Sequence, residues 1–133
     1  MHQAAAGVVA DGQRPLGNGL LRQFTDGCPW SEPDCEFARG YLDAGAPERL
    51  LRHLIEDVRP CEGEWYVAYA NDYVSAFQFT HGTWRTAATH TGAWNPLSPY
   101  DVGLNVGWLI NYLEERGISP GSTAGWPSCY WRG

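Results

Sequence analysis

The sequence predicts an α+β domain that is mainly helical, with one central buried helix and a small β region of two to three strands. Apolar residues recur at helical spacing over 47–59 and 98–116, and an aromatic, β-branched stretch at 65–79 lies between them. With 133 residues, 44% of them hydrophobic, the chain has enough apolar mass for one domain with its own core. We expect this domain to span residues 28–133. Residues 1–27 show no sustained period, and we expect an N-terminal arm there that packs on the domain or stays partly loose.

The first predicted helix follows the helix-start segment Ser31-Glu32-Pro33-Asp34. Serine at the cap and proline just inside are typical of a helix N-terminus. We expect the helix to run to about Ala44 and to end at Gly45.

The second predicted helix opens at Pro47-Glu48. Its apolar residues fall on one stripe, formed by Leu50, Leu51, Leu54, Ile55 and Val58. His53 lies off that stripe, which predicts a surface position. Pro60 has no N–H to donate, so we expect it to end or kink the helix immediately before Cys61-Glu62.

The aromatic stretch predicts two extended segments joined by a tight turn at Asn71-Asp72. Thr80 is then a candidate cap for a short helix that reaches Thr89.

The segment after Ser98 predicts the central helix. A serine cap, Pro99 inside and an acid three residues after the cap mark its start, and Gly117 marks its end after Arg116. One face is apolar, and so is much of the opposite one, which carries Leu104, Trp108 and Tyr112. A helix that is apolar on two sides is expected in the middle of a domain.

Charge and composition exclude two classes of partner. The chain has 9 basic residues, all of them scattered arginines, against 15 acidic residues, for a net charge of −6. Duplex nucleic acid needs a basic stripe to neutralise its backbone, so we expect no nucleic-acid partner. No apolar run approaches the ~18 residues of a membrane-spanning helix. We expect a monomer without a membrane span.

Four cysteines, Cys28, Cys35, Cys61 and Cys129, indicate disulfides formed in an oxidising compartment. Zinc is the competing interpretation, but no close Cys or His pair has the spacing of a structural zinc site. We favour disulfides and expect neither metal nor other cofactor. The N-terminus, Met-His-Gln-Ala-Ala-Ala, lacks a basic start followed by an apolar stretch. The cysteines favour a secreted, extracellular protein. If it is secreted, we expect that its signal peptide has been removed.

Glu62 is the carboxylate whose surroundings differ most from those of a surface charge. It follows a proline at a helix end and precedes Trp65, Tyr66 and the aromatic stretch. A carboxyl wedged among aromatic rings loses hydration, which raises its pKa and suits a general acid. The alternative is an ordinary carboxylate at a helix end, and Glu64 is a neighbour that competes for the same role.

Three short motifs occur in order along the chain. They are Cys61-Glu62-Gly63-Glu64-Trp65, then Ser75-Ala76-Phe77-Gln78-Phe79-Thr80-His81-Gly82-Thr83-Trp84, and finally Gly125-Trp126-Pro127-Ser128-Cys129. The set resembles the catalytic domain of resuscitation-promoting factors and related lytic-transglycosylase-like proteins of the lysozyme superfamily. Their pattern is Cys-Glu-Ser-Gly-Trp/Asn, Gly-Leu-Phe-Gln-Phe-x-x-x-Thr-Trp and a Gly-Trp-x-x-Cys ending. The resemblance covers about residues 47–129.

The resemblance implies a lysozyme-like fold with the β region beside a catalytic groove. It implies a glycosidase that cleaves β-1,4 bonds in peptidoglycan or a chito-oligosaccharide, with Glu62 as the catalytic acid and Gln78 on the groove wall.

The resemblance also implies how the cysteines pair. In that family the Cys before the catalytic Glu is bonded to the C-terminal Cys. That implies a Cys61–Cys129 bond here and leaves Cys28–Cys35 as the second disulfide.

Two departures from the family pattern concern the site. The family's Ser-Gly after the acid is Gly63-Glu64 here, which puts a second carboxylate close by, and the glycine before Phe-Gln is replaced by Ser75-Ala76. Ser75 and Ala76 are small, so a sugar can still approach the backbone there. The acidic net charge is also unusual for an enzyme that acts on anionic cell walls.

A second catalytic carboxylate would decide the reaction's outcome. Asp72 is a candidate, although a turn residue that accepts backbone hydrogen bonds is the interpretation we favour. Without Asp72, the resemblance implies a one-carboxylate route in which the sugar's own 6-hydroxyl is the acceptor and a 1,6-anhydro end forms. With Asp72 across the groove, water is the acceptor and the protein is a muramidase-type hydrolase.

The groove is expected between the helix that ends at Glu62 and the extended segments. We expect the strand to bend near Phe77, so that Phe77 enters the core while Gln78 faces the groove. The remaining substrate-binding candidates are Trp65, Tyr73, Ser75 and Trp126, whereas Trp84 and Trp108 are assigned to the core.

Two further functions compete with a glycosidase. Seven Trp in 133 residues also suit a non-catalytic glycan-binding module that uses exposed Trp and Tyr, in which Glu62 only hydrogen-bonds a sugar. The third hypothesis is a small disulfide-stapled interaction protein.

Overall fold

The computed structural model describes residues 27–132 and has an α+β fold. Most of the predicted N-terminal arm over 1–27 lies outside the described residues. The helices are α1 (Glu32–Asp43), α2 (Leu51–His53), α3 (Arg59–Glu62), α4 (His81–Thr91) and α5 (Pro99–Glu115), and the strands are β1 (Tyr69–Ala70), β2 (Tyr73–Val74) and β3 (Phe79–Thr80). Short 3₁₀ turns cover Glu48–Leu50 and Cys129–Trp131, and a π-helical segment covers Leu54–Val58.

Helices α1 and α5 cross in close backbone contact, which puts α5 at the centre of the core. Gly40 and Gly103 make this approach possible, because a Cβ on Gly40 would meet the Tyr100 carbonyl oxygen and one on Gly103 would meet that of Phe37. The α5 face towards the core is fully enclosed, and Val106 shows 0% exposure. The prediction that α5 is a buried central helix is therefore confirmed for this face.

Helix starts and ends follow the predicted caps. The Thr80 and Ser98 side chains each accept a hydrogen bond from the backbone N–H three residues later. Helix α4 continues to Thr91, two residues beyond the prediction, and ends at Gly92, whose φ of 80° suits a residue without a Cβ.

Pro60 was expected to end or kink the second helix, and it does not end it. The helical segment passes through Pro60 and ends at Glu62. The segment before it is π-helical, and the Arg59 N–H bonds the carbonyl of Leu54, five residues back. This wider register accommodates a proline that has no N–H of its own.

The β region is a three-stranded antiparallel sheet in the order β1-β2-β3. Tyr69 pairs with Val74, and Val74 pairs in turn with Phe79. Each strand is only two residues long, shorter than the predicted extended segments. The predicted turn at 71–72 is present, with Asn71 in the left-handed conformation at φ 57°.

Both disulfides implied by the resemblance are present, Cys28–Cys35 and Cys61–Cys129. The second ties the end of α3 to the C-terminal 3₁₀ turn. No helix within 27–132 has the length and apolar character needed to cross a membrane.

His53 is half-buried rather than a flanking surface residue. Its Nδ1 lies 3.0 Å from Asp57 Oδ2, and its Nε2 lies 2.5 Å from the carbonyl oxygen of Tyr130. The ring also packs edge-on against Tyr130. His53 therefore joins the second helical segment to the C-terminal turn.

Candidate functional site

A groove of about 1540 Å³ runs between the end of α3, the sheet, α4, α5 and the C-terminal segment. Glu62 and Gln78 lie on its wall together with Tyr73, Thr80 and Trp126. The disulfide-bonded Cys129 also lines it. All three sequence motifs thus contribute to one concave surface, although they are up to 68 residues apart in the chain.

Glu62 is a half-buried carboxylate at the wall of this groove. Burial raises the pKa of its carboxyl above the usual range, because the anion loses hydration there. Within residues 27–132 it has no hydrogen bond and no ion pair to compensate for that loss. An unpaired carboxyl in a groove, with a raised pKa, is chemically suited to donate a proton to a bound ligand.

Trp65 and Tyr66, which closely follow Glu62 in the sequence, do not lie on the groove wall. Tyr66 is 80% exposed. Trp65 turns the other way, where its Nε1 donates to Asp34 Oδ1 at 2.9 Å and its ring packs against Phe37. Trp65, which was expected to stack on a sugar ring, does not line the groove.

Gly63 lets the chain after Glu62 pass close to the loop over 75–78. A Cβ at Gly63 would lie 3.1 Å from the carbonyl oxygen of Ala76 and 3.4 Å from Gln78 Nε2. The departure from the family's serine at this position therefore coincides with a tight contact between the first and second motifs.

The two alternative carboxylates lie off the groove. Glu64 is exposed and pairs with Arg59, with its Oε1 3.2 Å from Arg59 Nη1. Asp72 is exposed in the turn between β1 and β2. Neither lines the groove, so of the three candidate carboxylates only Glu62 faces this space.

The predicted bend near Phe77 is present. Phe77 is fully buried, and Gln78 turns to the groove wall. Two left-handed residues, Ser75 at φ 72° and Gln78 at φ 56°, produce this reversal of side-chain direction. The Gln78 amide is held in place because its Nε2 donates to the Ser75 carbonyl at 3.1 Å.

Ser75 and Trp126 differ from their predicted roles. Ser75 has 0% exposure and does not line the groove, and its Oγ accepts from the Phe77 N–H at 3.2 Å. Trp126 reaches the groove wall but is only 3% exposed, and its Nε1 donates to the Phe77 carbonyl at 2.8 Å. Trp126 braces the loop from behind and offers no free ring face to a sugar.

Trp84 is in the core as predicted, but Trp108 is not. Trp108 is half-buried and lines the groove between His90 and Tyr112. The sequence analysis placed Leu104, Trp108 and Tyr112 on the second apolar face of this helix, and that face lines the groove.

Two more carboxylates, Asp43 and Glu115, line the groove. The Tyr100 hydroxyl donates to Asp43 Oδ2 at 2.5 Å, and Glu115 Oε1 lies 3.5 Å from Arg116 Nη1. Sequence analysis singled out neither of them.

No protein-family model, curated protein or solved structure matches this chain. The resemblance to the lysozyme superfamily therefore rests on the three sequence motifs.

Proposed function

We propose that the protein is a glycosidase of lysozyme-like fold that cleaves the β-1,4 bond between N-acetylmuramic acid and N-acetylglucosamine in peptidoglycan. The observation that carries the proposal is Glu62, an unpaired, half-buried carboxyl with a raised pKa on the wall of a large groove. The family motif assigns the catalytic acid to the same residue. Two disulfides support a secreted, extracellular enzyme. The proposal takes this enzyme to be a monomer.

Glu62 acts first as a general acid. Its carboxyl proton passes to the glycosidic oxygen as the bond from that oxygen to the anomeric carbon breaks, which leaves an oxocarbenium-like centre. The raised pKa keeps this proton available at a higher pH than an exposed glutamate would.

Glu62 then acts as a general base. The carboxylate takes the proton of the sugar's own 6-hydroxyl while that oxygen bonds to the anomeric carbon, which yields a 1,6-anhydro end and restores the acid. The exposed position of Asp72, off the groove, favours this one-carboxylate outcome over hydrolysis. Gln78, held by Ser75, orients the sugar beside Glu62.

Glu62→Gln tests the assignment because it keeps the shape of the side chain and removes the acidic proton. Activity on purified peptidoglycan should fall by ~100-fold or more. Glu64→Gln is the matched control, and it should retain most of the activity because Glu64 lies off the groove. Loss in Glu64→Gln with near-full activity in Glu62→Gln would overturn the assignment.

Mass spectrometry of the products decides the outcome of the reaction. A 1,6-anhydro end lacks one water relative to a reducing end, so the expected products are lighter by that mass. Reducing ends only would instead indicate a muramidase. Saturable glycan binding by the wild-type protein without any cleavage would indicate a glycan-binding module.

A further inference from the structure

Helices α4 and α5 present a column of stacked side chains to the groove, the α4–α5 wall, formed by His90, Trp108, Tyr112 and Arg116. The His90 and Trp108 rings stack with centroids 5.0 Å apart, and Trp108 and Tyr112 stack at 5.1 Å. The Arg116 guanidinium lies 3.6 Å from the Tyr112 ring centroid. Trp108 therefore stacks with one ring from α4 and with one from α5.

Trp108 gives this wall an unpartnered hydrogen-bond donor. Trp108 Nε1–H has no hydrogen-bond partner within residues 27–132. His90 Nδ1 lies 2.9 Å from the Thr86 carbonyl oxygen and donates to it, because a carbonyl only accepts. An acetamido group complements this surface, since its carbonyl accepts from an indole N–H while its methyl packs on apolar ring edges.

The acidic side chains beside the α4–α5 wall would repel a negatively charged ligand. Asp43 and Glu115 both line the groove, and Arg116 is the one basic side chain among the described groove-lining residues apart from His90. Arg116 is already engaged, because its Nη1 donates to the Tyr112 carbonyl at 2.9 Å and pairs with Glu115. With a net charge of −6 on the whole chain, a ligand carboxylate would enter a field of its own sign.

We propose that the α4–α5 wall is a saccharide subsite that accepts uncharged acetamido sugars and discriminates against sugars with a free carboxylate. The inference rests on the proposed glycan function and specifies which sugars the groove takes. In peptidoglycan it favours muramic acid whose lactyl carboxyl is amide-linked over muramic acid whose lactyl carboxylate is free.

A matched pair of ligands tests the proposal on the full-length Glu62→Gln variant, which should bind without cleaving. One ligand is a peptide-free strand of alternating N-acetylglucosamine and N-acetylmuramic acid with free lactyl carboxylates. The other is the same strand with those groups converted to amides. The amidated strand should bind roughly three- to fivefold more tightly at low salt, the size expected of charge repulsion acting through water, and the difference should shrink as salt is added. The Trp108 indole N–H signal in NMR should shift on binding.

Charge variants separate the local field from the net charge. Adding Asp43→Asn and Glu115→Gln should reduce the difference between the two ligands. Glu32→Gln with Glu48→Gln removes the same number of charges at positions that do not line the groove, and should leave the difference unchanged.

Equal affinity for the two ligands at low salt, or a Trp108 signal that does not move with either, would overturn the subsite. Each result is independent of cleavage. Absence of peptidoglycan cleavage by the wild-type protein would overturn the proposed enzyme while the binding preference is still measured.

Discussion

At the scale of single residues, Glu62 combines a functional requirement with a cost in stability. Its carboxyl is half-buried on the groove wall and has no compensating partner in the described part of the chain. Folding therefore favours its neutral form, and burial raises the pKa of the folded state above that of the unfolded chain. The stability that this group contributes is fully present below the unfolded pKa of ~4.3 and is lost as the pH rises through the folded value.

Glu62→Gln should therefore be more stable than the wild type at pH 7, with a difference in Tm that becomes smaller towards pH 4. Gln stays neutral at every pH and escapes the cost of ionising a buried group. Thermal unfolding of both proteins across this range measures the effect. Glu64→Gln is the control, because it removes an exposed ion pair with Arg59 and should not be stabilised at pH 7. Parallel pH profiles for wild type and Glu62→Gln would contradict the prediction.

The candidate site was only partly predictable from its residues. Glu62 and Gln78 could be assigned because each belongs to a motif whose residue types have a chemical role. Trp65 was expected to bind sugar but lies off the groove, and Trp126 lies on the groove wall with its ring almost fully buried. The direction of a side chain in an irregular segment depends on distant partners, here Asp34 for Trp65 and the Phe77 carbonyl for Trp126. Local sequence does not encode those partners.

At the scale of elements, local rules predicted most helix boundaries, and long-range packing decided the exceptions. Caps and glycines fixed the ends of α1, α4 and α5 within about two residues. The strands were shorter than their aromatic pattern implied, because left-handed Ser75 and Gln78 interrupt the extended backbone. Neither serine nor glutamine signals that conformation, since glycine is the usual residue there.

The crossing of α1 and α5 gives a prediction at this scale. Gly103→Ala should lower the free energy of unfolding by about 1–3 kcal/mol, because the new methyl would press on the Phe37 carbonyl and lie 2.8 Å from the Tyr41 nitrogen. Denaturant unfolding measures this. Gly82→Ala is a matched control, since a Cβ at this helical position meets nothing within 4 Å, and it should be neutral or slightly stabilising. Equal effects of the two substitutions on the free energy of unfolding would show that α1 and α5 can move apart without loss of stability.

At the scale of the whole molecule, the groove is built from segments that lie far apart in the sequence. Glu62 lies at the end of α3, whereas Trp126 and Cys129, which also line the groove, lie near the C-terminus. The Cys61–Cys129 disulfide joins these segments directly beside Glu62, across 68 positions of sequence. Cys28–Cys35 spans only 7 positions and does not line the groove.

Removing the two disulfides should therefore have different consequences. In the chain-entropy model the long loop contributes roughly 4 kcal/mol and the short one roughly 2 kcal/mol. Cys61→Ser with Cys129→Ser should lower the free energy of unfolding by the larger amount. It should also reduce the proposed glycan cleavage under conditions where the protein is still folded, because the C-terminal segment of the groove is no longer tied to Glu62.

Cys28→Ser with Cys35→Ser is the control and should keep the activity of the folded protein. Urea unfolding and cleavage assays on both double variants measure the two effects. Equal losses of activity in folded samples of the two would mean that the long disulfide does not organise the groove.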